Sequence, residues 1–198
     1  FGNAGQFAAL LGQEILGLKL IAASDSKGGV YNEQGLDVGA LIQHKERTGS
    51  VVGFAEAYSI SNVDILELKV TVLFPAALEN VITKENANRI KAKIVCELAN
   101  GPTTPEADDI LHQNGVFVLP DFLANAGGVT VSYFEQVQNT YNYYWSLEEV
   151  HRRLDEKMTN AFKSVYEMHE RQKVTMRQAA YLVAVGRVAE ACRLRGWV

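Results

Sequence analysis

The sequence predicts an α/β protein with a doubly wound parallel sheet, followed by a run of C-terminal helices. Two observations lead to this class. Short, uninterrupted apolar runs alternate with helical stretches in the first part of the chain. Apolar runs without inside–outside alternation are typical of strands buried on both faces, which is the situation in parallel sheets. The pattern after Gly127 is almost purely helical.

The elements follow one another with short connections. Strands are predicted at Lys19–Ser24, Val70–Pro75, Ala92–Ala99 and Val116–Pro120. Helical segments are predicted at Ala4–Leu16, Val38–Arg47, Lys84–Ile90 and Pro105–Gln113, with a short turn at Val63–Leu68. Thr104 is suited to cap the fourth helix, Pro105 to its first position, and Gly115 to its exit.

Two capping boxes mark the C-terminal helices. Ser146-x-x-Glu149 precedes a long amphipathic segment, on which Glu148–Arg152 and Glu149–Arg153 are spaced to pair. Thr175-x-x-Gln178 opens a last helix that ends before Gly196. We expect a dinucleotide-binding domain over residues 1–145, and a helical segment over residues 146–198 that packs as a hinge against a substrate domain outside this chain.

Composition narrows the class of function. The 198 residues are 47% hydrophobic and 21% charged, with a net charge of −4 and no block of like charges. This argues against nucleic-acid and membrane-surface binding, because both need a clustered basic face. The histidines lack metal-ligand spacing and the two cysteines are far apart, so we expect no metal and a cytoplasmic location. Cys96 lies in the apolar run Ile94-Val95-Cys96, so we expect a buried free thiol there.

A glycine-rich turn stands at the start of the first helix. Gly2-Asn3-Ala4-Gly5 matches the last two glycines of the G-x-G-x-x-G fingerprint, and Asp25 lies twenty residues beyond Gly5, after the next strand. Glycine turn, helix, strand and acid in this order predict a Rossmann-like dinucleotide site. The alternatives without ligand binding are an ordinary glycine turn and an aspartate that only opens the turn before Gly28.

The first fingerprint glycine and its strand would lie before Phe1. We therefore expect the first, central strand of the sheet to be missing from this chain. Its neighbours would then expose unpaired edges, so the 198 residues alone are expected to be poorly stable or prone to association.

Five segments resemble the coenzyme domain of glutamate dehydrogenases, most closely the hexameric bacterial and archaeal type. The similarity runs in order from Phe1 to Trp197. The segments are GNAGQ (2–6), SDSKGGVYN (24–32), PAA (75–77), ANGPTTPEAD (99–108) and ANAGGVTVSYFE (124–135).

The resemblance implies roles for individual residues. It implies that the pyrophosphate is held by Gly2, Asn3 and Ala4, and the adenosine ribose by Asp25 and Ser26. The wall beside the adenosine is implied for Ala76 and Ala77, and contact with the nicotinamide ribose for Asn100 and Asn125. It further implies that Val129 and Ser132 face the substrate, with Ser132 bonding its side-chain carboxylate.

Each role has a structural alternative. Asn100-Gly101-Pro102 is also compatible with a simple turn, and Asn125 with a loop cap. The Ser132 hydroxyl is also suited to bond back to its own helix. The aromatic group Tyr141, Tyr143, Tyr144 and Trp145 is interpreted as core or inter-domain packing rather than a base-stacking platform.

The activity implied is NAD(P)-dependent reversible oxidative deamination of L-glutamate to 2-oxoglutarate and ammonia, in a homo-oligomer that is expected to be a hexamer. Asp25 favours NAD, whereas Ser26 and Lys27 would accommodate NADP.

In the resembling family the catalytic lysine and aspartate belong to the preceding substrate domain, so no catalytic residue is assigned here, although Lys27, Lys91 and Asp121 are candidates by type. The alternatives are a leucine or phenylalanine type of dehydrogenase, and a non-catalytic dinucleotide-binding fragment. The fragment alone is predicted to be inactive.

Overall fold

The computed structural model describes residues 1–198, which form two compact units, Phe1–Val116 and Phe117–Val198. The chain is a mixed α/β protein, as predicted. The division at residue 145 concerned the domains of a longer protein and stays a prediction. No helix combines the length and the apolar character needed to cross a membrane.

Three α-helices lie in the first unit, close to the predicted bounds: α1 (Asn3–Leu16), α2 (Val38–Thr48) and α3 (Pro105–Gln113). Side-chain caps explain where α2 and α3 begin. Asp37 accepts from the Ala40 N–H at 2.8 Å, and Thr104 accepts from the Ala107 N–H at 3.4 Å. Gly115 is the exit of α3, with a φ of +75°.

The helix predicted at Lys84–Ile90 is wrong in extent, because only Ala87–Arg89 form a 3-10 helix. The Asn86 side chain accepts from the Thr83 N–H at 2.8 Å and donates to the Val81 carbonyl at 2.8 Å. Side-chain bonds of this kind compete with the helical backbone pattern. A second 3-10 helix covers Asp64–Glu67, within the predicted turn.

An antiparallel sheet replaces the single strand predicted at Lys19–Ser24. It consists of β1 (Ala22–Asp25), β2 (Gly28–Tyr31) and β3 (Tyr58–Ile60), in that order. β2 and β3 were not predicted, since the two glycines at the start of β2 resemble a turn. A Cβ on Gly29 would lie 2.9 Å from the Ile60 Cγ2, so the close approach of β3 requires glycine there.

A parallel pair carries the doubly wound character of the first unit. β4 (Val72–Leu73) pairs with β5 (Ile94–Cys96) in the register Val72–Ile94. Both strands are shorter than predicted. β1 and β4 belong to different sheets, and the strand expected before Phe1 stays a prediction.

The second unit is helical apart from one short strand. β6 (Phe117–Leu119) is followed by α4 (Asp121–Ala124), α5 (Ala126–Tyr141), α6 (Leu147–Gln172) and α7 (Met176–Leu194). Its buried core contains Leu123, Val165, Met176, Ala179 and Ala180.

The two predicted capping boxes differ in the structure. At α7, Thr175 accepts from the Gln178 N–H and the Gln178 side chain accepts from the Thr175 N–H, both at 3.1 Å. At α6, Ser146 accepts from the Glu149 N–H at 3.3 Å, but the Glu149 carboxylate is bound by Arg152 and Arg153 at 2.9 and 2.7 Å. The Glu149–Arg153 pair is confirmed, whereas Arg152 pairs with Glu149 rather than with Glu148.

Candidate functional site

The glycine turn forms the N-terminus of α1. Gly2 is the N-cap, with φ −89° and ψ −163°, and no side chain caps the helix. The first turn has no acidic residue, and Gly2, Asn3 and Ala4 are all exposed. A Cβ on Gly2 would meet nothing within 4 Å, so the space above the turn is open. Uncapped N–H groups with this surrounding are suited to an anion such as a pyrophosphate.

The first turn of α1 lies beside the end of β4. A Cβ built on Gly5 would be 3.9 Å from the Ala76 Cβ, which is an ordinary van der Waals distance. The structure therefore brings together the glycine turn and the predicted adenosine wall. Ala76 is half-buried and Ala77 is exposed, so their small side chains leave the surface next to α1 accessible.

Asp25 ends β1 at the turn of a hairpin. Its partner in the register is Gly28, which leaves Ser26 and Lys27 as the two exposed turn residues. The Asp25 Oδ1 accepts from the Lys27 N–H at 3.0 Å and from the Ser50 hydroxyl at 3.1 Å. Its Oδ2 accepts from the Val51 N–H at 2.7 Å.

The ammonium of Lys45 on α2 lies 3.6 Å from the Asp25 Oδ2. Burial alone would raise the pKa of Asp25, but the hydrogen bonds from Lys27, Val51 and Ser50, with the charge of Lys45, lower this pKa below its ordinary value. The carboxylate is therefore ionised, and it is held from several directions.

Asn100 follows the strand β5 on an exposed turn, in which Gly101 has a φ of +55°. The segment before it fixes this turn. The Asn80 N–H donates to the Gly101 carbonyl at 2.8 Å, and the Ile82 N–H donates to the Pro102 carbonyl at 2.9 Å. Asn100 thus stands at the carboxyl end of a parallel strand, where ligands gather in folds of this class.

The predicted residues of the second unit lie around the start of α5. Asn125 separates α4 from α5, and its N–H donates to the Asp121 carbonyl at 2.8 Å. Val129 is 70% exposed, which is unusual for an apolar side chain on a packed helix. The Ser132 hydroxyl donates to the Gly128 carbonyl at 3.2 Å, which is the structural alternative named for it.

Two other candidates have structural partners. The Asp121 carboxylate lies 3.3 Å from the Arg177 guanidinium, and both side chains are largely buried. Trp145 packs edge-on against Phe134, at 5.5 Å between ring centroids, and lies under the Arg153 guanidinium at 4.2 Å. Trp145 thus packs as interpreted. The three tyrosines of that group are exposed (Tyr141, Tyr143, Tyr144).

Comparison with known proteins assigns the family. The family model of Glutamate/Leucine/Phenylalanine/Valine dehydrogenase matches residues 1–196. The chain belongs to this family. A glutamate dehydrogenase of Thermotoga maritima is 54% identical over 196 residues, which are 99% of the chain and 47% of that protein. An NAD-specific glutamate dehydrogenase of Staphylococcus aureus (strain COL) is 49% identical, over all of the chain and 47% of that protein.

Solved structures of family members match the whole fold. The glutamate dehydrogenase of Peptoniphilus asaccharolyticus is 40% identical with a TM-score of 0.82, over 100% of this chain and 46% of that one. The hetero-hexameric glutamate dehydrogenase of Thermus thermophilus, in a leucine-bound form, is 33% identical with a TM-score of 0.90, over 98% and 46%. The chain thus spans about half the length of the relatives it matches.

Sequence reasoning missed the residues that surround Asp25. Ser50 and Val51 are twenty-five and twenty-six residues away along the chain, and no local pattern relates them to Asp25. The Asn62 side chain also donates to the Asp25 carbonyl, at 3.0 Å. An open cavity of about 330 Å³ adjoins the same hairpin, and it is lined by Lys27, Gly28, Gly29, Val52, Ser59, Ile60 and Ser61. Of this lining, the sequence pointed to Lys27 as a candidate and to Gly28 and Gly29 as a turn, but not to the other four residues.

Proposed function

We propose that this chain is the coenzyme-binding part of a glutamate dehydrogenase, which catalyses the NAD(P)-dependent, reversible oxidative deamination of L-glutamate to 2-oxoglutarate and ammonia. The observation that carries the proposal is the 54% identity, along 196 residues, to a protein named glutamate dehydrogenase. Its family also includes leucine, phenylalanine and valine dehydrogenases, so the substrate is part of the proposal.

The residues of this chain fit a dinucleotide. Open space above Gly2 and the uncapped amides of α1 support pyrophosphate binding by Gly2, Asn3 and Ala4. Ala76, beside α1, supports an adenosine wall formed with Ala77. We place the adenosine ribose at the hairpin turn of Asp25 and Ser26. Asn100 and Asn125 are proposed to hold the nicotinamide ribose.

The coenzyme, when bound, supplies a nicotinamide ring that takes the hydride from the α-carbon of glutamate. This chain's part is to hold and orient the two reactants, which lowers the entropic cost of reaching the transition state. The groups that activate water and polarise the carbonyl are proposed to lie in the preceding substrate domain. No catalytic residue is therefore assigned to this chain.

Substrate selection is proposed for Val129 and Ser132 on α5. An exposed hydroxyl provides a donor for the side-chain carboxylate of glutamate, whereas a pocket for leucine needs no polar partner. The Ser132 hydroxyl would exchange its bond with the Gly128 carbonyl for one with the substrate, at a net cost of about 1 kcal/mol for the bond that is given up.

The chain is proposed to act within a hexamer and in the cytoplasm. The hexamer is supported by the assembly named for the Thermus thermophilus relative. The location is supported by the free state of both cysteines, which is usual in a reducing compartment. NAD is favoured over NADP by the named specificity of the Staphylococcus aureus relative.

The substrate is tested in the full-length protein that carries this chain, with L-glutamate, L-leucine and L-phenylalanine compared under NAD. Ser132→Ala is expected to raise KM for glutamate roughly twofold to thirtyfold, because a hydrogen bond to a carboxylate is worth about 1.5–3 kcal/mol and giving up the bond to the Gly128 carbonyl costs about 1 kcal/mol of this. Thr140→Ala is the matched control, since Thr140 makes the same backward bond on α5, to the Gln136 carbonyl. Faster oxidation of leucine or phenylalanine than of glutamate would overturn the proposal.

A non-catalytic role is proposed for the isolated chain, and its coverage of about half of its relatives supports this. The 198 residues alone are expected to give no glutamate-dependent formation of NADH above background. Turnover by this chain without the remainder of the protein would show that it contains catalytic groups that the proposal denies it.

A further inference from the structure

We propose that Asp25 is a positioning residue, which fastens the β1–β2 hairpin to the segment after α2 and leaves the ribose contact to the exposed Ser26. The inference rests on the proposed coenzyme function and changes the role of one residue in it. It depends on the state of the Asp25 carboxylate, which is engaged within the protein rather than offered at the surface.

Three acceptor positions of the carboxylate are occupied by hydrogen bonds, and the remaining one faces a cation. An ionised carboxylate offers about four lone-pair sites. Two sites on Oδ1 are used by the Lys27 N–H at 3.0 Å and the Ser50 hydroxyl at 3.1 Å. Oδ2 accepts from the Val51 N–H at 2.7 Å and faces the Lys45 ammonium at 3.6 Å. The side chain is only 9% exposed, so a ribose hydroxyl would have to compete with Lys45 for Oδ2 or displace one of the three donors.

The segment that Asp25 holds is part of the core. Val51 is completely buried, in one cluster with Ala23 of β1 and Val30 of β2. The Ser50 hydroxyl, besides donating to Asp25, accepts from the Val52 N–H at 3.1 Å. The bonds to Asp25 thus tie a buried segment to the hairpin turn.

The same network extends to the glycine turn. Lys45, which faces Asp25, also donates to the Phe1 carbonyl at 2.6 Å, directly before Gly2. The Asn62 side chain donates to the Asp25 carbonyl and so holds the backbone of the hairpin as well. The proposed pyrophosphate and ribose contacts are therefore linked through Asp25 and Lys45.

The charge of Asp25 has a further consequence. Because Lys45 and three hydrogen-bond donors face the carboxylate, its repulsion of a 2′-phosphate is weakened. The choice between NAD and NADP should then not depend on Asp25. A residue that bonds the ribose hydroxyls directly would instead set that choice, since a 2′-phosphate takes the place of one hydroxyl.

The test uses the full-length protein with Asp25→Asn, Ser50→Ala and the double variant. Dissociation constants for NADH and NADPH are measured by fluorescence titration, and Tm by calorimetry. Asp25→Asn should lower Tm by at least about 3 °C. It should raise the dissociation constants for NADH and NADPH by the same factor, so that the ratio of the two constants stays within about twofold of that of the unmodified protein. Asp109→Asn, an exposed position on α3, is the control for loss of one charge.

Ser50→Ala is the milder variant and separates the two roles. It leaves the carboxylate in place with one donor fewer, so a positioning role predicts a lower Tm and weaker binding of both coenzymes. A ribose-binding role predicts unchanged or tighter NADH binding. The Tm decrements of Asp25→Asn and Ser50→Ala should also be less than additive in the double variant, because Ser50 donates directly to the side chain that Asp25→Asn alters.

Three results would overturn the inference. The first is a tenfold or greater change in the ratio of the NADH and NADPH dissociation constants for Asp25→Asn at unchanged Tm. The second is tighter NADH binding by Ser50→Ala, and the third is additive Tm decrements of these two substitutions in the double variant. Failure of the coenzyme proposal is distinguishable from these. It would be seen as no saturable binding of either coenzyme by the unmodified protein. The Tm values of the single and double variants would still test whether Asp25 holds the hairpin in place.

Discussion

Three hydroxyl residues on α5 donate to the carbonyl four residues before them. Thr130 and Thr140 do so at 2.8 Å and Ser132 at 3.2 Å. The Ser132 bond is the longest of the three, and its side chain is exposed. Longer bonds are weaker, so this hydroxyl gives up its carbonyl partner more readily than the other two. At the scale of the residue, a backward bond and a contact to substrate are therefore compatible.

Cys96, on β5, is a second residue whose surroundings decide its chemistry. Burial raises the pKa of its thiol to about 11, and the neighbouring charge of Glu97 acts in the same direction. The thiolate is the reactive form, and its fraction at pH 8 falls about a hundredfold for a pKa raised from 9.0 to about 11. The thiol predicted to be buried is half-buried and free.

We therefore expect slow alkylation of Cys96 in the folded protein at pH 8, with a rate that climbs as the pH approaches 11. Quantitative mass spectrometry of iodoacetamide-treated protein would follow this residue separately from Cys192. The unfolded chain in urea is the control, where Cys96 should react about a hundredfold faster. Equal rates in the folded and unfolded protein would contradict the shift.

The caps of α6 and α7 show how an element depends on more than its motif. Both helices begin with a hydroxyl residue followed three residues later by Glu or Gln, yet only Thr175 and Gln178 bond reciprocally. Glu149 is instead bound by two arginines of its own helix, which lower the pKa of its carboxyl to about 2. An arginine within reach of the glutamate of a capping box thus competes with the N-cap backbone N–H for the glutamate carboxylate.

Removal of the two caps should differ in cost. Thr175→Ala loses the side-chain partner of the Gln178 N–H and loosens the return bond, so we expect a loss of about 1–2 kcal/mol in the free energy of unfolding. Ser146→Ala loses one bond and should cost about 0.5–1 kcal/mol. Urea unfolding followed by circular dichroism measures both. Thr159→Ala, in the middle of α6, is the control and should change little, since alanine favours helix.

Apolar surface is exposed on both units. On α1, Phe7 and Ile15 are 63% and 70% exposed and lie on one face, two turns apart. On α7, Val185 and Val188 are 62% and 64% exposed. Soluble proteins rarely leave contiguous apolar faces uncovered. At the scale of the whole molecule, this surface agrees with a chain that spans about half of its relatives.

The 198 residues alone are therefore expected to associate at increasing concentration. Sedimentation velocity from about 5 to 100 µM should show a rising weight-average mass, driven by apolar surface at about 25 cal/mol per Å². Replacing Phe7 and Ile15 together by serine should reduce the association. Gln13→Ser, an exposed polar position on α1, is the control. A monomer over the whole range would contradict the expectation.

Local patterns in the sequence determined the positions of α1, α2, α3 and the C-terminal helices, because caps, helical periodicity and glycine exits act over a few residues. They also located the glycine turn, whereas Ala76, Asn100 and the residues at the start of α5 were implied by the resemblance to the family. Tertiary structure alone decided the antiparallel sheet, because a strand such as β3 is defined by partners 27 to 31 residues away rather than by its own apolar content. It also decided the surroundings of Asp25, since hydrogen bonds from Ser50 and Val51 arise only when the folded chain brings them to the carboxylate.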